Sequence, residues 1–190
     1  MSITLNLKLV SLLLLSIIPS FDKAENEGFN IFINQFPEVS LPIQFHGQII
    51  ESETSVKLDP KISENFIKGS QYHYVYGKIP SNDKFVGVIT LGVANTLLPF
   101  LHTFSLNGEL VSSEQISMGT CGAGMCVSCI EVTEISSNLD IYFADSLTVY
   151  DCNDDGEEVS NKKDKYVTYV EGNVLDDGYI LLLEEKKNKL

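Results

Sequence analysis

The chain has 190 residues and sets 13 basic side chains, all of them lysine, against 26 acidic ones, for a formal charge of −13. A field of that sign repels phosphate backbones and anionic lipid surfaces, which excludes nucleic acid as a partner. With no arginine, the chain also lacks the planar fork that grips phosphate, which argues against a nucleotide-handling enzyme.

Residues 1–20 place Lys8 ahead of an apolar run from Leu9 to Ile18, followed by Pro19 and the small residue Ser20. This is the order of a secretory signal peptide. The run is about half the length needed to span a bilayer as a helix. Cleavage after Ser20 is therefore expected, with no membrane insertion afterwards, and the product is secreted or periplasmic. No cysteine stands near the cleavage point to accept a lipid. Residues 21–190 are then expected to form a single β-rich domain, large enough to bury its own core.

Phe29, Phe32, Ile33 and Phe36 have the spacing of one helical face, and Pro37 ends it. Leu41 to Phe45 alternates as an extended segment. Asp59-Pro60 is an N-cap followed by an N1 proline, with Ile62, Phe66 and Ile67 as the buried face and Gly69 as the stop. From Tyr72 the period becomes two, predicting strands at Tyr72–Ile79, Phe85–Ala94, Leu97–Leu106 and Glu109–Ser117. Asn107-Gly108 predicts a type I′ hairpin turn between the last two. Further hairpins are predicted from Val127–Ile135 to Leu139–Tyr150, and from Lys165–Asn173 to Tyr179–Glu184. The expected fold class is mainly β, an antiparallel meander of hairpins with two short N-terminal helices. The charged stretches Asp151–Lys165 and Glu184–Lys189 read as solvated surface.

Four cysteines, Cys121, Cys126, Cys129 and Cys152, are an even set in a chain expected to be exported, which predicts disulfides. A turn centred on Ser137 sets the index sum of facing residues near 274, so Cys121 is expected to meet Cys152, leaving Cys126 and Cys129 to bond each other, or to remain reduced where so short a loop is too strained. The C-x4-C-x2-C spacing of Cys121, Cys126 and Cys129, with Ala123 and Gly124 between the first two, resembles the cluster loop of plant-type ferredoxins. That resemblance implies a [2Fe-2S] electron-transfer centre. It covers nine residues, departs at Val127, and leaves Cys152 closer than the family's fourth ligand.

Asp151, Asn153 and Asp155, followed by Gly156, reproduce the first half of a calcium loop, a weak site at best because Lys162 stands where the bidentate glutamate belongs. Such residues also make good turns. His46, His73 and His102 offer bases or zinc ligands and Ser117 or Ser128 a nucleophile, but no motif ties them together. Tyr72, Tyr74 and Tyr76 share a period of two, as a binding stripe or as cross-strand packing.

Phe36-Pro37 leading to Leu41-Pro42-Ile43, the Phe104–Leu110 hairpin, and the glycine and cysteine stretch before Leu139-Asp140-Ile141-Tyr142 together resemble small exported bacterial β-rich domains of unknown function. The resemblance implies no particular activity. The expected function is that of a non-catalytic binding or structural protein whose partner is an extracellular or periplasmic protein or glycan. A secreted hydrolase with an unrecognised site is the alternative, and [2Fe-2S] electron transfer the third reading.

Overall fold

The computed structural model describes residues 21–52, 55–80, 83–122 and 124–190, with side chains from residue 27 onward. The signal-peptide reading of residues 1–20 lies outside them. The elements in chain order are helix α1 (Phe21–Ile33), strand β1 (Ile43–His46), helix α2 (Pro60–Ser63), a 3₁₀ turn (Ser70–Tyr72) and strands β2 (His73–Ile79), β3 (Phe85–Val93), β4 (Leu97–Ser105) and β5 (Leu110–Gln115). They continue with β6 (Val127–Ile135), β7 (Asp140–Cys152), β8 (Glu158–Val174), β9 (Ile180–Leu182) and β10 (Lys186–Lys189). Strands β2 to β5 form one antiparallel sheet in sequence order, the small sheet. The large sheet has the order β1-β6-β7-β8-β10, with β9 also paired to β8. The expected meander of hairpins with two short N-terminal helices is thus the observed fold.

The small sheet is buried on both faces, and its sequence says why. Phe85, Ile89 and Leu101 point one way and join Ile135, Ile141, Phe143 and Val170 of the large sheet in one core. Val88 and Phe104 point the other way and meet Phe29, Phe32 and Phe36 of the α1 segment, with Leu58 and Ile67. A strand covered on both sides loses its polar alternation, which is how β3 comes to read as a near-continuous apolar run. Phe32 stacks on Phe66 at 4.7 Å and meets Phe104 edge-on at 5.5 Å. Each fully buried ring of this kind contributes roughly 1.5–3 kcal/mol. Asp59 caps α2 by accepting from the Lys61 amide at 2.9 Å, and Gly69 takes the left-handed conformation (φ 73°) that ends the segment.

Four hairpins, β4–β5, β6–β7, β7–β8 and β8–β9, turn through the same three-residue loop. Ser105 pairs with Glu109, Ser136 with Asp140, Asn153 with Glu157 and Leu175 with Tyr179, each amide donating to the carbonyl four residues on at 2.8–3.0 Å. In every case the third loop residue has positive φ: Gly108, Leu139, Gly156 and Gly178. A tight turn with a left-handed residue third is the next commonest hairpin connection after the two-residue ones. This corrects the type I′ reading of Asn107-Gly108: only Gly108 is left-handed, seated where a Cβ would lie 2.7 Å from the Phe29 ring. It also moves the β6–β7 turn. Val127 pairs with Val149 and Ile135 with Ile141, an index sum of 276, so the centre is Asn138.

Two threonines fasten the sheets across the core. Pro99 in β4 has no amide hydrogen, so the Ile116 carbonyl opposite lacks its ladder partner and instead accepts from the Thr133 hydroxyl of β6 at 2.8 Å. Thr103 of β4 donates to the Gly178 carbonyl in the β8–β9 turn at 2.6 Å. The charged C-terminal residues, expected as solvated surface, are exposed but form edge strand β10, where Lys186 meets Glu171 at 2.7 Å and Lys189 meets Asp164 at 2.8 Å. A lysine-rich edge discourages pairing with another chain.

Candidate functional site

Strands β7 and β8 outrun the small sheet, and their far end carries the cysteines. The β6 ladder extends backwards only to Val127; there the chain doubles back, Val127 donating to the Gly124 carbonyl at 3.2 Å, with Cys126 left-handed at φ 66°. Cys121 therefore never joins the ladder. It bonds Cys129, and Cys126 bonds Cys152, with Cα separations of 5.4 and 6.1 Å. This overturns the expected pairing of Cys121 with Cys152 and Cys126 with Cys129. The reason is twofold: the turn centre lies one residue further on, and the reversal at Cys126 removes the preceding segment from the register. No cysteine is free. The ferredoxin-like spacing is thus spent on two disulfides rather than on thiolates, and such bonds fit an oxidising compartment. Among the described residues, no helix is long and apolar enough to cross a membrane.

The two disulfides brace a tip. Met125 stands between them, 72% exposed, with its side chain lying against Gly156 of the β7–β8 turn so closely that a Cβ there would come within 2.5 Å. Ile130 and Val159, 59% and 57% exposed, lie on the flanking strands β6 and β8.

The calcium look-alike is that same β7–β8 turn, a third copy of the hairpin loop. Asn153 turns its side-chain oxygen onto the amides of Asp155 and Glu157 at 3.1 and 2.9 Å, while Asp151 accepts from Ser160 at 2.8 Å. The two oxygens thus serve the turn and the neighbouring strand, and Asp155 is exposed.

Behind the tip, Glu131 and Asp145 face each other across β6 and β7, both more than nine-tenths buried. Glu131 accepts from the Gly119 amide at 3.2 Å, and the Thr120 hydroxyl donates to Asp145. Burial pushes both carboxyls above their ordinary range, against the hydrogen bonds they receive; the Asp145 charge raises Glu131 further, and Glu185 adds to Asp145. Asp145 also lies within 4.8 Å of the Cys121 and Cys129 sulfurs, which are bonded to each other and so are not thiolate ligands.

No sequence motif connects the histidines, but the small sheet connects two of them. Ser113 of β5 bonds His102 Nδ1 at 2.8 Å, His102 Nε2 bonds Thr90 Oγ1 of β3 at 2.8 Å, and Thr90 bonds His73 Nδ1 of β2 at 2.7 Å. One side chain from each of the four strands forms a continuous line on the helix-facing side. Thr90 and His102 are buried, His73 is half-buried and Ser113 exposed. Phe100 lies nearly parallel to the His102 ring, 6.2 Å away, in space that Gly92 leaves free. Burial, aided by His73, pushes His102 down to about 3, and burial also lowers His73.

The other candidates are dispersed. His46 is exposed on β1 beside Gln44 at 3.4 Å, Ser128 is exposed on β6, and Ser117 is buried with its hydroxyl unpartnered. The tyrosines do not form a stripe. Tyr72 falls in the 3₁₀ turn and Tyr74 is buried, while Tyr76, at a bulge, packs edge-on against Phe45 at 4.8 Å.

No protein-family model, curated protein or solved structure matches the chain.

Proposed function

We propose that this chain is an exported binding or structural domain that engages an extracellular or periplasmic protein or glycan through its disulfide-braced tip. The observation that carries this reading is Met125, a large apolar side chain held out to solvent on a loop bracketed by two disulfides. Methionine adapts to irregular surfaces. A contact loop already fixed before binding loses little conformational freedom when a partner arrives. Ile130 and Val159 are further exposed apolar side chains on strands β6 and β8. The test is affinity capture from the exported fraction of the source cells and from a glycan array, using the exported form and a Met125→Lys, Ile130→Lys variant of equal thermal stability. The reading requires a partner retained by the parent and lost by the variant. Equal retention by both would remove the tip from the binding surface.

A further inference from the structure

The line from Ser113 to His73 has chemistry beyond binding, and it is independent of the tip. Neutral imidazole has one donor nitrogen and one acceptor, and each hydroxyl has one hydrogen. The three hydrogen bonds can therefore all point either way. In one direction Ser113 gives its hydrogen to His102 Nδ1, His102 Nε2–H donates to Thr90, and Thr90 donates to His73 Nδ1. That is the direction in which a serine hydroxyl becomes a nucleophile, with a buried base behind it and a second imidazole to accept charge.

The backbone adds an electrophilic partner. Ile116 donates to Pro99 at 2.9 Å, so the pair 99/116 is of the hydrogen-bonded kind in the β4–β5 ladder. Pairs alternate along an antiparallel ladder, and His102 opposite Ser113 is consequently of the non-hydrogen-bonded kind, where side chains approach most closely. The Ser113 amide then points away from β4. β5 is the edge of its sheet among the described residues, so this amide faces an edge that no strand covers.

We propose that Ser113 is the nucleophile and His102 the general base of an acyl-transfer site for neutral carboxylic esters. Neutral esters are the class that fits, because a chain of charge −13 without arginine repels carboxylate- and phosphate-bearing substrates. Ser113 Oγ bonds the ester carbon while its proton passes to His102 Nδ1; the imidazolium is held through Nε2–H on Thr90, which donates to His73. The Ser113 amide donates to the oxyanion. Collapse breaks the ester C–O bond, and the leaving alcohol takes the proton from His102. Water then attacks the acyl carbon, giving its proton to His102; the carboxylic acid leaves and the proton returns to Ser113. Burial keeps His102 unprotonated throughout the physiological range, leaving Nδ1 as the acceptor for Ser113; the same burial makes it a weak base, so the transferred proton is held only during the step, with Thr90 and His73 placed to take up the charge.

The experiment treats the folded protein with an alkyl fluorophosphonate, a neutral electrophile that reports activated serine hydroxyls, and maps the adducts by peptide mass spectrometry. The expected result is one adduct at Ser113, formed at least about 100-fold faster than at any other serine and than at Ser113 in the urea-unfolded chain. His102→Gln should lower the Ser113 rate by about 100-fold. Thr90→Val, which spares the Ser113–His102 contact, should lower it to a smaller degree. Adducts spread evenly over exposed serines, no adduct at Ser113, or a Ser113 rate unchanged by His102→Gln would each overturn the proposal. If His102→Gln does not fold, the comparison between native and unfolded parent decides, equal rates refuting the site.

Discussion

Acidification should destabilise the fold through His102, and the size of the effect follows from its position. Its folded value of about 3 lies well below the ordinary 6.5. A group whose value is depressed on folding contributes stability that is fully present above pH 6.5 and lost as pH falls toward 3. At 1.36 kcal/mol per unit, the whole window is worth on the order of 5 kcal/mol, and about 2 kcal/mol is gone between pH 7.5 and 5. His73, facing it through Thr90, shifts the same way and adds to the loss. Glu131 and Asp145 act in the opposite sense: their values are raised on folding, so their penalty at high pH is relieved on acidification. The difference between parent and His102→Gln isolates the histidine. Urea unfolding followed by tyrosine fluorescence at pH 7.5, 6 and 5 should show the parent losing about 2 kcal/mol more than the variant over that range. Parallel pH profiles would refute the reasoning. So would a proton NMR titration in which both His73 and His102 rings protonate near pH 6.5.

Non-reducing peptide mapping should recover Cys121 joined to Cys129 and Cys126 joined to Cys152. In the chain-entropy picture, removing the 26-residue bridge should cost about 3.5 kcal/mol and the 8-residue bridge about 2.5 kcal/mol, read as shifts in unfolding midpoint. Gly172→Ala should destabilise by about 1–3 kcal/mol, because the new Cβ would lie 2.4 Å from the Leu181 carbonyl, a backbone atom of the strand that β8 holds. Thermal melts in millimolar calcium and in chelator should superimpose, since Asn153 already spends its oxygen on the turn. A calcium-dependent rise of several degrees that Asp151→Ala abolishes would restore the metal reading.

Most of the strands were legible because alternation and turn residues act locally. Val127–Ile135 needs no adjustment, and the Asp59-Pro60 helix start forms as written. What the sequence hid depended on register. A three-residue loop with Gly108 and a three-residue loop with Leu139 look different in sequence, yet they turn the chain alike; leucine is uncommon in a left-handed position, and here its side chain packs against the core. Placing that turn one residue early sent Cys121 to the wrong partner. The histidine line was closer to view. A two-residue turn at Asn107-Gly108 implies an index sum of 215 for β4 and β5, that of 102 and 113; the observed three-residue loop sets 214, and the bulge between Thr103 and Phe104 restores 215. Ser113 and Thr90 carry no motif of their own and become visible only when that register is extended to the side chains, whereas Ser117 and Ser128 have no hydrogen bond to a histidine. Strand β10 was missed because its four residues have no apolar alternation. Its place is set by Lys186 and Lys189 reaching acids on β8, which only the folded ladder brings alongside.

The proline near the start of β4 bears on the order in which the molecule assembles. A four-stranded meander would ordinarily saturate its ladders alone and could persist as a separate folding unit. Here the small sheet carries one carbonyl, that of Ile116, which its own strands cannot serve, because Pro99 stands where the donor should be. Burying that oxygen before β6 delivers Thr133 would leave it bare at a cost of about 1–3 kcal/mol. The small sheet is thereby discouraged from closing its core ahead of the large one, and amides on the two sheets should gain their slowest hydrogen exchange together, as one cooperative unit.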